Sequence, residues 1–358
     1  MKSKTFFNLF IIILIAFALR VWNLDKPEGL WNDEYVSWYI ASRESFSEFI
    51  NLVSKNCHTP LYYLFLKFWL SVFPDTDISL RISSLVISLF TIIAVFLTGR
   101  ELKNNKTGLL CAFFCALSSF YIYFAQEVRL YSLLGLVSAL LVYICIKTLK
   151  TGRPLYFCIF IILNAVLCGV HTLGVIFSFF IILFSLIYLY QNFDEWKLLI
   201  KNRRKLLQYA FPFLCALLLL SPFLFSIAFS KNLAQFWSPF SSSKIAFCFT
   251  DLFSPVQLNI LHPPDSFAEQ VFKDGAANSG FIFFALVPAV IAAVCIIKSF
   301  FNKDKILNLL LYSSLCFFAV ITVLCISGKM IFLTKYISGI YPVLISAFAA
   351  GLLSFKNK

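Results

Sequence analysis

Asp33 and Glu34 stand side by side in Leu30-Trp31-Asn32-Asp33-Glu34-Tyr35, in a chain with only 17 acidic residues among 358. Neighbouring carboxylates disfavour each other's ionisation, and a partly desolvated setting does so further. Both effects raise a carboxyl pKa toward the range where it can move a proton at neutral pH. Three further polar groups follow in order: His58-Thr59-Pro60-Leu61-Tyr62-Tyr63, then Phe124-Ala125-Gln126-Glu127-Val128-Arg129-Leu130-Tyr131-Ser132, and finally Lys335-Tyr336. They add a second carboxylate, Glu127, two cations, Arg129 and Lys335, and one imidazole, His58. Each also has a plainer reading. The Asp-Glu pair suits a solvated loop, Arg129 a salt bridge to Glu127 or a lipid headgroup, Lys335 an interface anchor, His58 a helix cap and His171 core packing.

The elements that must position these groups are apolar. A mean hydropathy of +0.87 with 60% hydrophobic and 13% charged residues excludes a soluble globular protein. Apolar runs of about 20 residues recur along the chain, each long enough to cross a bilayer as a helix. Short alternating strands are absent, which excludes a barrel. The fold class is therefore all-α: a polytopic membrane protein forming a single transmembrane domain over 1–358. The first run continues into Arg20-Val21-Trp22 without a small-residue cleavage site, so it reads as an uncleaved helix. Ten spans are expected, at 6–24, 79–98, 108–124, 130–146, 155–170, 173–190, 209–229, 280–297, 306–326 and 337–355.

The connections between these spans alternate in charge. One set carries Lys2 and Lys4, Arg100 with Lys103 and Lys106, Lys147 with Lys150 and Arg153, the basic run 197–205, Lys298 with Lys303 and Lys305, and Lys356 with Lys358. The other holds nearly all the acids, Asp33, Glu34 and Glu127 among them. The positive-inside rule puts the basic set and both termini in the cytoplasm and the acids outside. The net charge of +13 thus reads as topology, and no nucleic-acid partner is expected. Of the 11 cysteines all but Cys57 lie in or beside apolar runs, where the residue behaves as a small hydrophobe. The first outer loop, 25–78, is expected to carry interfacial helices: one beginning near Asp33, one over Ser45–Ser54 opened by the capping-box pattern Ser45-Phe46-Ser47-Glu48, and one over 58–70. A second large outer loop spans 230–279. The chain has 12 glycines, none spaced as a phosphate-cradling loop.

Taken together, the ordered motifs resemble the GT-C glycosyltransferases, in particular the protein O-mannosyltransferase and lipid A aminoarabinose transferase family. The resemblance runs through Leu19-Arg20-Val21-Trp22-Asn23-Leu24, Trp31-Asn32-Asp33-Glu34, His58 to Tyr63, Leu80-Arg81-Ile82-Ser83-Ser84-Leu85 and Gln126 to Ser132. Lys335-Tyr336 with Pro342 stands where the family usually has Arg-Tyr before a proline, and His58-Thr59-Pro60 departs from the usual His-Pro-Pro. The second half of the chain matches weakly.

The resemblance implies a sugar donor on a polyprenyl phosphate, delivered from within the bilayer of a bacterial inner membrane, and transfer with inversion on the extracytoplasmic face. Asp33 is then the expected general base, and Glu127 orients the acceptor or stabilises developing positive charge. Arg129 and Lys335 meet the leaving phosphate, and His58, Arg81, Glu34 and Tyr336 are further expected contacts. The acceptor stays open among protein, lipid A, another glycolipid and a polysaccharide. No cofactor is fixed. A divalent metal near Asp33, Glu127 and His58 is compatible with the residue types, although the spacing matches no recognisable site. Two rival readings use the same topology. A transporter or flippase of lipid-linked sugars calls for polar groups in mid-span, and the spans here are almost clean. A polysaccharide polymerase or ligase calls for outer-loop arginines, and 230–279 contains none.

Overall fold

A computed structural model describes residues 3–22, 24–55, 59–192, 252–253, 279–301, 304–327 and 333–355. The helices, in chain order, are α1 (Ser3–Val21), α2 (Asn32–Ala41), α3 (Phe46–Lys55), α4 (Pro60–Val72), α5 (Asp77–Leu102), α6 (Asn105–Leu117), α7 (Ser119–Ala125), α8 (Tyr131–Thr151), α9 (Pro154–Val170), α10 (Gly174–Asn192), α11 (Ser279–Phe300) and α12 (Lys305–Ile326). A 3-10 segment, Thr334–Ile340, then leads into α13 (Tyr341–Ser354). Among the described residues there is no strand, in keeping with an all-α membrane chain.

The helix ends are written in the sequence. Thr76 Oγ1 accepts the Ser79 amide at the start of α5, Asn104 Oδ1 accepts the Thr107 amide at the start of α6, and Asp304 Oδ1 accepts the Ile306 and Leu307 amides of α12. Proline opens α4, α9 and α13. α8 stops at Gly152, whose φ of 61° supplies the left-handed cap. The Ser45 hydroxyl accepts the Glu48 amide at 3.4 Å, as the capping-box pattern predicts.

α5 and α8 form the centre. α5 packs on α8, α6, α7, α1, α4 and α13, while α8 also meets α9 and the 3-10 segment. α11 crosses α13 closely at Gly351, where a Cβ would lie 2.0 Å from the Cys295 carbonyl oxygen. α1 is peripheral and turns Phe6, Phe10, Leu14 and Phe17 outward, as expected of a face that meets lipid.

Among the described residues, five helices are long and apolar enough to cross a membrane, or six if the α6–α7 pair counts as one span; α9 and the apolar parts of α10 and α11 are shorter. Two expected spans take a different form. The run 108–124 is two helices bent by 60° at Ser118, and the run 337–355 begins in the 3-10 segment, so Lys335 and Tyr336 sit inside an ordered element. The expected span 209–229, the loop 230–279 apart from residues 252–253 and 279, and His58 lie outside the described residues.

Candidate active site

Asp33 and Glu34 occupy the first turn of α2, where unpaired backbone amides favour acidic side chains. They face different surroundings. Glu34 turns inward and is fully buried. It accepts the Trp31 amide at 3.4 Å and the Val128 amide at 2.8 Å, and it pairs with Arg81, whose Nη2 is 3.1 Å from Oε2 and whose Nε is 3.4 Å from Oε1. Arg81, on α5, is equally buried and spends its other donors on the carbonyls of Leu24 at 3.3 Å and Gly29 at 2.7 Å. Gly29 has φ 74°, a turn conformation that L side chains rarely adopt and that aims this carbonyl at Arg81. The pair thereby ties α2, α5, the 24–29 loop and the 126–130 turn together. Both residues, expected as substrate contacts, are fully buried here and make these hydrogen bonds inside the chain.

Asp33 keeps 36% of its side chain exposed. Arg129 holds it at two points, with Nη2 3.2 Å from Oδ2 and Nη1 3.0 Å from the Asp33 backbone carbonyl. The Ser37 hydroxyl donates to that same carbonyl at 3.0 Å and lies 3.4 Å from Nη1. Burial works against the Arg129 charge, but Tyr131, Asp33, Tyr63 and Tyr62 outweigh it, so the guanidinium pKa lies above its ordinary value and the group stays a cation. Tyr62 and Tyr63 come from α4 and are almost wholly buried, so the 58–63 motif reaches the site through its phenols.

Tyr131 links Arg129 to the second expected cation. Lys335 Nζ lies 5.6 Å from the centre of the Tyr131 ring and 5.9 Å from that of Tyr336, within cation–π range. His171 backs both rings, edge-on to Tyr336 at 5.9 Å and tilted to Tyr131 at 6.3 Å. Its Nδ1 accepts the Leu173 amide at 3.0 Å, which leaves Nε2 to carry the proton of the neutral ring.

Glu127 is buried beside this group, 1% exposed. Lys26 Nζ lies 2.6 Å from Oε1, the Trp31 indole donates to Oε2, and the Tyr123 hydroxyl also hydrogen-bonds it. Desolvation, then the nearby Glu34 charge, raise its carboxyl pKa, while Lys26 and Trp31 pull the other way. Sequence reading missed Lys26 and Trp31. The one available signal was a lysine set among the acids Asp25, Glu28, Asp33 and Glu34. Of the three residues named for a possible divalent metal, Asp33 and Glu127 are among the described residues and His58 is not. Each carboxylate already faces a cation, Arg129 or Lys26, and no cluster of three His, Cys, Asp or Glu side chains forms among the described residues.

The site is therefore a partly exposed carboxylate paired with a buried guanidinium, with the half-buried Lys335 over the Tyr131 ring, an arrangement able to take a proton and hold an anion. The profile of the dolichyl-phosphate-mannose-protein mannosyltransferase family matches residues 57–228, just under half of the chain, including Arg81, Glu127 and Arg129. Among solved structures, the chain is similar to the archaeal oligosaccharyltransferase AglB from Archaeoglobus fulgidus in complex with an inhibitory peptide and a dolichol-phosphate, with TM-score 0.59 and 13% identity over 99% of this chain and 51% of that one. The apo form of the Archaeoglobus fulgidus oligosaccharyltransferase matches with TM-score 0.56 and 14% identity, over 99% and 51%. The chain thus spans about half the length of the solved structures it matches, and it shares their GT-C fold. No curated protein sequence matches it.

Proposed function

Starting from a chain folded as the GT-C glycosyltransferases are, we propose that it transfers a sugar from a polyprenyl-phosphate donor to an acceptor hydroxyl, with Asp33 as general base. The observation that carries this reading is the Asp33–Arg129 pair, an accessible carboxylate gripped by a cation only 7% exposed.

The acceptor hydroxyl gives its proton to Asp33 while its oxygen attacks the anomeric carbon. The bond from that carbon to the phosphate oxygen breaks, and its electron pair leaves with the phosphate. Attack opposite the leaving group inverts the centre. A positioned base contributes about 10²–10⁴-fold. As Asp33 takes the proton it loses its charge, and the charge of Arg129 is then freed for the phosphate. Lys335, across Tyr131, supplies the second cation, with His58 and Tyr336 as further phosphate contacts. Arg129 suits this role because a guanidinium can bond two phosphate oxygens at once. Glu127 positions the site by holding Lys26 and Trp31 against the turn. The donor is a membrane lipid, so no nucleotide-binding loop is needed. The charge alternation of the connections supports an active site outside the bacterial inner membrane. Acceptor candidates are protein, lipid A, glycolipid and polysaccharide.

The test uses membranes containing the chain and a labelled polyprenyl-phosphate sugar, mannose first. Label is expected to become covalently attached to an acceptor, and Asp33→Asn to cut the rate about 10²-fold or more. Near-wild-type transfer by Asp33→Asn sinks the reading. So does label that crosses the membrane without forming a new bond, which identifies a transporter instead.

A further inference from the structure

Arg20 touches none of the groups assigned above, yet it is a fully buried cation in the last turn of α1. Among the described residues no ion pair includes it, and a buried charge without a counter-ion must find negative potential elsewhere. Its partners show where. Nε donates to Ser88 Oγ of α5 at 2.9 Å, Nη1 to the carbonyls of Ala16 at 3.2 Å and Ala116 at 3.0 Å, and Nη2 to the carbonyl of Cys115 at 3.3 Å. Cys115 and Ala116 end α6, the negative pole of that helix, and α7 departs from it at 60°. A bend of this size takes the last carbonyls of α6 out of line with the amides that follow. In a low-dielectric setting such groups need donors, and Arg20 supplies them.

The other end of α7 is tied to the same residue. Gln126 Nε2 donates to the Arg20 carbonyl at 3.2 Å and to the Trp22 carbonyl at 2.6 Å. α7 is a strut about 10 Å long at 1.5 Å per residue. The end of α6 that precedes it is held by the side chain of Arg20, and the residue that follows its own end by the Arg20 backbone. Immediately beyond lie Glu127, Val128 with its amide on Glu34, and Arg129 on Asp33.

We propose that Arg20 is a positioning residue. Its guanidinium sets the bend at Ser118, and the bend sets where the 126–129 turn meets α2, and with it the Asp33–Arg129 register. The kinetic part of this proposal rests on the sugar-transfer reading; the structural part does not.

The test compares Arg20→Lys and Arg20→Met with wild type, as full chain in nanodiscs. A single ammonium cannot span Ser88 and both helix-end carbonyls as the planar fork does. Amide exchange over 126–129 is therefore expected to accelerate about tenfold in Arg20→Lys while the centre of α8 is unchanged. kcat is expected to fall up to about 10²-fold with donor KM nearly constant, and Arg20→Lys with Arg129→Lys to cost less than the product of the two singles. Arg20→Lys with unchanged exchange and kcat overturns the proposal. Uniform acceleration through α8, or purely multiplicative losses, reduces Arg20 to general scaffolding and overturns it too. If wild type transfers no polyprenyl-phosphate sugar but the selective exchange appears, the sugar-transfer reading fails and the positioning role stands.

Discussion

Arg129 grips Asp33 by side chain and backbone at once, with Nη2 on Oδ2 at 3.2 Å and Nη1 on the main-chain carbonyl at 3.0 Å. The same contact fixes where the carboxylate points and keeps a countercharge beside it.

Arg129→Lys keeps the charge and loses the fork. Lysine cannot meet the side chain and the carbonyl with one planar group. Transfer is expected to fall about 10²-fold. Combined with Asp33→Asn the loss is expected to be far less than the product, since either change breaks the same unit. Steady-state rates of the two singles and the double check this, and multiplicative losses count against it.

Breaking the buried Glu34–Arg81 pair from one side strands a charge. Arg81→Met or Glu34→Gln is expected to cost about 3–5 kcal/mol, and the double change to apolar residues to recover part of that. Thermal unfolding in detergent reads the order: each single well below wild type, the double above either single. Singles that melt with wild type contradict the placement of this pair.

Glu127 makes stability depend on pH with a definite sign. Its carboxyl pKa is raised in the folded chain above the ordinary 4.5, so between 4.5 and the raised value the folded state binds more protons than the unfolded one. Its contribution is fully present below about 4.5 and is lost as pH rises through the folded pKa. Glu127→Gln does not titrate. The melting-temperature difference, variant minus wild type, is therefore expected to grow more positive from pH 4 to pH 8. A flat or opposite trend contradicts the raised pKa.

Gly351→Ala probes the α11–α13 crossing. The new Cβ would sit 2.0 Å from the Cys295 carbonyl oxygen, a backbone atom with no rotamer to yield. Overpacking of this kind costs about 1–3 kcal/mol. Differential scanning of the purified chain is expected to show the lowered transition; Gly152→Ala is expected to lower it through its φ of 61° and not through contact, since nothing lies within 4 Å of that site.

Much of this was legible from residue order. Apolar length, caps and punctuating prolines located the helices, because a backbone in lipid must satisfy its own hydrogen bonds. The motif residues Asp33, Arg129, Lys335 and Tyr336 were named from the chain alone, and the structure pairs Asp33 with Arg129 and sets Lys335 over the Tyr131 and Tyr336 rings. Which of two adjacent acids meets solvent was not legible. Asp33 and Glu34 are one residue apart, about 100° around a helix, and only the packing of α5 and the 126–130 turn makes that angle the difference between 36% and 0% exposure. The bend at Ser118 was equally hidden. An apolar run reads the same straight or broken, and the carbonyls at the break are met by Arg20, nearly a hundred positions earlier. The amino-acid sequence by itself determined an all-helical membrane chain and named Asp33, Glu127, Arg129 and Lys335 as candidates, since both follow from local composition and order, while Lys26 was found only in space. Partnership between those groups was decided only by the tertiary structure, because burial and hydrogen bonding belong to neighbours in space.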